Sequence, residues 1–145
     1  MLNQFVKFHA LQASARRTLL ASWVLLPLAW LGLRIFGLAR LQAWMQRRRR
    51  VPALPPDTVT VAEISRMVAI AGQYAPCPVT CLTRSLLLQW ILLGIGVQSQ
   101  LRLGVALDGS ELRGHAWVEV KGFPINDASD IEARYAAFDA VSLKP

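Results

Sequence analysis

The stretch that decides the fold runs from Val79 to Asp127 and reads VTCLTRSLLLQWILLGIGVQSQLRLGVALDGSELRGHAWVEVKGFPIND. Thr80 is a residue type that caps helix N-termini, so we expect Cys81 in the first turn of a helix. The unpaired N–H groups and the dipole of that turn favour an anion, and the thiolate is the nucleophilic form of cysteine. Taken alone, Cys81 is equally consistent with a buried packing residue.

The rest of the stretch predicts one buried helix followed by antiparallel strands. From Leu82 to Ile95 the sequence is apolar nearly all round, which is typical of a central helix. SQLRLGVALDG and GHAWVEV then alternate like strands, and an Asp-Gly and a Lys-Gly turn signal follow them. The predicted fold class is therefore α+β. Upstream, Thr60 and Glu63 have the spacing of a capping box and predict the start of another helix.

A cysteine nucleophile needs an imidazole base, and the imidazole needs a third group that fixes its orientation. His9 lies in the basic N-terminal segment, so His115 is the histidine available to the domain. A three-residue turn after the second strand would place Asp127 opposite His115, whereas a two-residue turn would put Asn126 on the histidine's face. Either side chain can accept from the ring. We prefer Asp127 because a carboxylate also stabilises an imidazolium.

Two charged residues near the candidate site need separate interpretations. Alternation puts His115, Trp117 and Glu119 on one strand face, but Glu119 lies about 13 Å along the strand from His115 and is excluded as its partner. Arg84, one turn after Cys81, is either a solvated or ion-paired residue at the helix rim or a charge that positions substrate or an acid.

The second cysteine is not expected to take part in catalysis. Cys77 lies between two prolines that favour extended chain, so only Cys81 is expected at a helix start. Two cysteines without regular spacing provide no disulfide framework. The cysteines and histidines also lack the spacing of a zinc site, and we expect no metal.

Charge divides the chain into two unlike parts. Residues 1–50 hold nine Lys or Arg and no acid, whereas residues 51–145 hold seven bases and nine acids. An uncharged run from Thr18 to Leu33 falls just below the roughly 17 to 25 residues that span a bilayer, and Pro27 should kink it. Three interpretations remain: a buried helical hairpin, an interfacial membrane helix, or a transmembrane helix whose downstream positive charge keeps the rest cytoplasmic. The arginines that follow the run disfavour a secretory signal peptide.

The proline-rich Val51–Pro56 is the clearest linker in the chain. The Arg47–Arg50 run before it has no accompanying aromatic platform, so no nucleic-acid partner is expected. We expect a cytoplasmic protein, with membrane-surface contact as an option for the N-terminal segment. The predicted domains are a basic apolar helical segment, a proline-rich linker and a catalytic domain: residues 1–50, 51–57 and 58–145.

The chain has a cysteine at the start of a helix, then a histidine on a strand, then an Asp. This is the order of the catalytic residues in the papain and transglutaminase-like core. The segments CLTRSLLL, GHAWVEV and IND closely resemble the transglutaminase-like cysteine protease of lasso peptide biosynthesis, in the split form whose leader-binding protein is separate. The resemblance covers Thr80 to Asp127. It implies that Cys81, His115 and Asp127 form the catalytic triad of a leader peptidase.

The resemblance also implies three partners: the precursor peptide, a separate leader-binding protein and an asparagine-synthetase-like cyclase. The family's activity is linked to ATP, but this sequence has no Gly-rich phosphate loop, so we expect no cofactor on this chain. Two alternatives stay open. One is a transglutaminase or amidase on the same triad, and the other is a non-catalytic membrane-associated module in which Cys81 and His115 are core residues.

Overall fold

The computed structural model describes residues 13–47 and 58–138, and side chains are described for 13–47 and 61–138. The four strands form one antiparallel sheet in the order β3-β2-β1-β4. The α+β fold, with an apolar helix ahead of a cysteine-bearing helix and a small antiparallel sheet, is confirmed. The elements in chain order are α1 (Ala13–Arg47), α2 (Thr58–Gln73), α3 (Cys81–Gly94), β1 (Gln100–Asp108), β2 (Glu111–Val120), β3 (Phe123–Pro124), α4 (Ile131–Arg134) and β4 (Ala136–Phe138).

Helix α3 is the centre of the core, as its apolar sequence predicts. Leu88 and Leu92 pack with the sheet residues Ala116 and Val118. On another side of the helix, Leu87 packs with residues of α1 and α2. Fully burying a leucine is worth about 1.5–3 kcal/mol, so these contacts hold the helix between the sheet and the other helices.

Strands β1 and β2 form a regular hairpin that positions the histidine. Asp108 pairs with Glu111 at its tip, and Gly104 pairs with His115. Ala116 faces the core, while the rings of His115 and Trp117 stack on the opposite face of β2. The predicted alternation of this strand is confirmed.

The turn between β2 and β3 differs from the three-residue turn that would pair His115 with Asp127. It contains two residues, Lys121 and Gly122, with φ angles of 52° and 80°, and Val120 pairs with Phe123. Two positive φ angles match the twist of a tight hairpin, and glycine adopts one of them without strain. The three-residue turn is therefore wrong.

Helix α1 reverses direction at Gly37, where φ is 74° and ψ is 168°. Only glycine adopts such angles without strain. Leu41 consequently lies back beside Gly32, 3.2 Å from where a Cβ on that glycine would be. Pro27, where we expect a kink, lies inside the helix, and the non-helical backbone angles are at Gly37.

Helix α1 packs on both α2 and α3. By length and composition it is also the one described helix that could cross a membrane, with a mean hydropathy of 1.8 and 22% of its apolar window buried against the protein. The packing and the reversal at Gly37 agree with the helical hairpin among the three interpretations, although much of the apolar surface stays exposed.

Several predictions concern residues at the edge of the described chain or beyond it. The helix predicted after Thr60 is found, but it begins at Thr58, so Thr60 lies inside the helix and not at its cap. His9, the arginines from 48 to 50 and the linker Val51–Pro56 lie outside the described residues. The three predicted domain boundaries stay predictions.

Candidate active site

Cys81 is the first residue of α3, and Thr80 is its N-cap. The Thr80 Oγ1 accepts from the Thr83 N–H at 3.2 Å, which confirms the predicted cap. The N–H groups of Cys81 and Leu82 belong to the first turn, where an α-helix offers no intrahelical acceptor. Cys81 is half-buried and is not in a disulfide. Its sulfur therefore lies where a helix terminus favours negative charge.

Cys77 is also a free, half-buried thiol. It lies in the segment between α2 and α3, outside any helix, so it lacks the helix terminus that Cys81 has.

His115 and Asp127 form a close pair. The His115 Nε2 lies 2.5 Å from the Asp127 Oδ2, and each side chain is 20% exposed. The other carboxylate oxygen, Oδ1, accepts from the Ala128 N–H at 2.9 Å. Because Nε2 is bound to the carboxylate, Nδ1 is the ring nitrogen left to exchange a proton with a thiol.

The surroundings of Asp127 keep it ionised. Burial raises the pKa of this carboxyl, but the hydrogen bonds from His115 and from the Ala128 N–H, with the charges of His115 and Arg84, outweigh burial and lower it. Arg84 is half-buried on α3. Its positive charge is one of the causes that lower the pKa of Asp127.

Asn126 has a different function from its neighbour. Its Oδ1 accepts from the Val118 N–H at 2.8 Å, and its Nδ2 donates to the Ser85 Oγ at 2.9 Å. The Ser85 hydroxyl in turn donates to the Ala116 carbonyl at 3.0 Å. Asn126 thus links the cysteine-bearing helix α3 to the histidine-bearing strand β2.

The alternative in which a two-residue turn makes Asn126 the partner of the histidine is also wrong. The turn does have two residues, but β3 ends at Pro124, which has no N–H for further pairing. The Ile125 N–H still donates to the Val118 carbonyl at 3.0 Å. The chain then leaves the sheet, and this lets Asp127 reach His115 despite the register.

Two aromatic rings flank His115. Its ring centroid lies 5.0 Å from that of Tyr135 and 6.2 Å from that of Trp117. Trp117 is fully buried, and its Nε1 donates to the Glu119 Oε1 at 2.8 Å. These contacts hold the imidazole on the sheet face opposite Ala116 and Val118.

Gly104 lies opposite His115 and makes room for both rings. A Cβ at this position would lie 2.9 Å from the Trp117 ring and 3.0 Å from the Tyr135 Cβ. The sequence analysis did not identify Tyr135 or Gly104. Both act through long-range packing, and neither belongs to a local motif.

The hydrogen bond from Ser85 to Ala116 links the cysteine-bearing helix to the histidine-bearing strand. Among the described residues, hydrogen bonding joins His115 to Asp127 but does not join Cys81 to His115. Cys81 is one helical turn, about 6 Å, before Ser85, and His115 precedes Ala116 in β2. Cys81 lies at a helix start, His115 on a strand and Asp127 in a loop. A cysteine, a histidine and a carboxylate are the residue types that acyl transfer by a thiol requires.

A family model described as the transglutaminase-like superfamily matches residues 22–141. The matched range includes most of α1 and the whole of the described sheet. No curated protein and no solved structure gives a significant match.

Proposed function

Because the chain belongs to the transglutaminase-like superfamily, which includes cysteine peptidases, we propose that it is a cytoplasmic cysteine peptidase with Cys81, His115 and Asp127 as its triad. Its proposed reaction is removal of the leader peptide from a lasso peptide precursor. The observation that carries the proposal is the 2.5 Å contact between His115 and Asp127, on a strand tied to the cysteine-bearing helix.

The proposed cleavage of the peptide bond uses His115 Nδ1, because Nε2 is bound to Asp127. His115 Nδ1 takes the Cys81 proton, and the sulfur attacks the carbonyl carbon of the last leader residue. The N–H groups at the start of α3 are placed to stabilise the oxyanion. His115 then protonates the departing amide nitrogen, the C–N bond breaks, and the remaining peptide leaves with a free amine. Water, activated by His115, cleaves the thioester and releases the leader acid.

Asp127 does not need to gain or lose a proton in this reaction. It accepts from Nε2 and thereby leaves Nδ1 as the ring nitrogen that exchanges a proton with the thiol, and its charge stabilises the imidazolium. Gln73 and Tyr74, shortly before α3, are weaker candidates for a second oxyanion donor. Both are exposed, and the Tyr74 carbonyl accepts from the Trp23 Nε1 at 2.8 Å. A second donor from this pair stays a prediction.

The substrate class rests on sequence resemblance. CLTRSLLL contains Cys81, GHAWVEV contains His115 and IND contains Asp127, so the resembling segments are the ones that form the site. The proposed partners are the precursor, a separate leader-binding protein and an asparagine-synthetase-like cyclase. Any use of ATP belongs to the partners, and the leader-binding protein delivers the precursor.

The test is mass spectrometry of a lasso-type precursor incubated with the leader-binding protein, the cyclase and this protein. The wild type is compared with Cys81→Ala, and Cys77→Ala is the matched control. We expect Cys81→Ala to lower the rate of leader removal by about 10³-fold or more, since removing a nucleophile removes the whole covalent pathway. Cys77→Ala should keep the wild-type rate.

Three results would count against the proposal in different ways. Equal processing by wild type and Cys81→Ala would make Cys81 a structural residue and favour the non-catalytic module. Loss of ammonia from glutamine side chains without backbone cleavage would favour the transglutaminase or amidase. Full-rate cleavage by the purified protein alone would contradict delivery by a separate leader-binding protein.

A further inference from the structure

Helix α1 has two opposite apolar faces before its reversal at Gly37. One face packs against α2 and α3 and is made by Ala15, Ser22, Leu26 and Ala29. The other, which we call the outer face, is 47 to 61% exposed and consists of Leu20, Val24, Leu28, Leu31 and Ile35. Steps of three and four residues place each set on one side of the helix. An exposed apolar surface of this extent marks an interaction site.

The packing of α1 favours a helix that lies on a surface over one that crosses a bilayer. Leu26 is fully buried, and the Trp23 Nε1 donates to the Tyr74 carbonyl at 2.8 Å. A helix that crosses the hydrocarbon core alone would expose all its faces to lipid and lose these contacts. Because the opposite side of the helix is buried, the outer face is the side that a flat surface can contact.

The charges on α1 indicate what kind of surface the outer face contacts. The helix contains no Asp or Glu. Arg16 and Arg17 lie at one end of the outer face and Arg34 at the other, where its guanidinium carbon sits 5.2 Å from the Trp30 ring centroid. Trp23 is 44% exposed. Apolar side chains bordered by arginine and tryptophan suit the boundary between anionic headgroups and acyl chains.

We propose that the outer face of α1 docks on an anionic lipid surface, with the helix lying in the plane of the membrane. The catalytic domain then stays on the aqueous side, held by the packing of α1 on α2 and α3. This inference does not depend on the proposed peptidase activity.

The experiment is co-sedimentation of the full chain with vesicles of phosphatidylcholine alone or of equal parts phosphatidylcholine and phosphatidylglycerol. We expect binding to the anionic vesicles. Leu28→Gln with Ile35→Gln should reduce the partition coefficient about tenfold or more, because two apolar side chains leave the interface. Arg16→Gln with Arg17→Gln should reduce it about fivefold per charge.

The matched control is Leu107→Gln with Leu112→Gln, which changes two exposed leucines at the tip of the β1–β2 hairpin. It should bind like the wild type. Circular dichroism and the urea unfolding midpoint establish that each variant is folded. Leader removal in solution should be the same for all these variants, so a failure to bind lipid and a failure of the peptidase proposal are distinguishable.

Failure of the folded wild type to bind anionic vesicles would overturn the inference, as would an equal loss of binding in the hairpin control. Resistance of the bound protein to high salt and alkaline carbonate would show a spanning helix instead. A lipid-free oligomer that Leu28→Gln with Ile35→Gln dissociates would show that a second copy covers the outer face.

Discussion

Replacing Gly104 by alanine should disturb the candidate site from the strand opposite His115. The new Cβ would lie 2.9 Å from the Trp117 ring and 3.0 Å from the Tyr135 Cβ. Neither neighbour can move freely. Trp117 is fully buried and bonded to Glu119, and the Tyr135 N–H is held by the Ile131 carbonyl at 2.9 Å.

Two effects of opposite sign determine how much the free energy of unfolding of Gly104→Ala changes. Overpacking a well-filled position costs about 1–3 kcal/mol, whereas replacing glycine by alanine stabilises by about 0.4–1 kcal/mol through the unfolded chain. The free energy of unfolding of Gly104→Ala should therefore fall by up to about 2.6 kcal/mol, with about 1.3 kcal/mol at the middle of the range. The kcat of leader removal should fall as well, because Trp117 and Tyr135 both contact the His115 ring.

Urea unfolding followed by tryptophan fluorescence measures the change in stability. Gly114→Ala is the matched control, since it lies on the neighbouring strand and its Cβ would have no atom within 4 Å. It should be neutral or stabilising by up to about 1 kcal/mol. Equal unfolding free energies for the two variants would refute the packing argument.

Two further predictions concern the loop after β3. Asn126→Ala should lower the free energy of unfolding by about 1–3 kcal/mol, since it leaves the Val118 N–H without its acceptor. Asn126→Asp keeps that acceptor and should cost less in the same urea assay. Equal stability of Asn126→Ala and wild type would contradict the proposed link between α3 and β2. The lowered pKa of Asp127 means that its ionised form contributes stability above about pH 4, the pKa of an unfolded Asp, and that this stability is lost as the pH falls through the lower folded pKa. Between about pH 6 and pH 3, the free energy of unfolding of Asp127→Asn should therefore fall less than that of the wild type. An equal fall for the two proteins would contradict this prediction.

The local signals in the sequence predicted the helix start and the hairpin well. Thr80 caps α3 as its residue type indicates, because a side chain that accepts the Thr83 N–H acts within one turn. The Asp-Gly signal likewise ends β1, with Gly109 at a φ of 65°. Such features depend only on neighbouring residues, and a single sequence contains the information they need.

The features that sequence reasoning missed depend on tertiary packing. The reversal of α1 is made by Gly37, which the sequence analysis did not single out. Asp127 meets His115 although the register that supported the pairing is wrong, because the chain leaves the sheet after Pro124. No local pattern indicates that Tyr135 packs on the imidazole.

The short β2–β3 turn has a consequence for how this chain tolerates insertions. Asp127 is placed by the two-residue turn and by Asn126 together, so one added residue beside Lys121 or Gly122 would move the acid away from the histidine. The β1–β2 tip, where Gly109 faces open space, carries no such constraint. An epitope or fluorescent label inserted at that tip should be accepted. Insertions in the β2–β3 turn should instead give proteins that fold but are inactive.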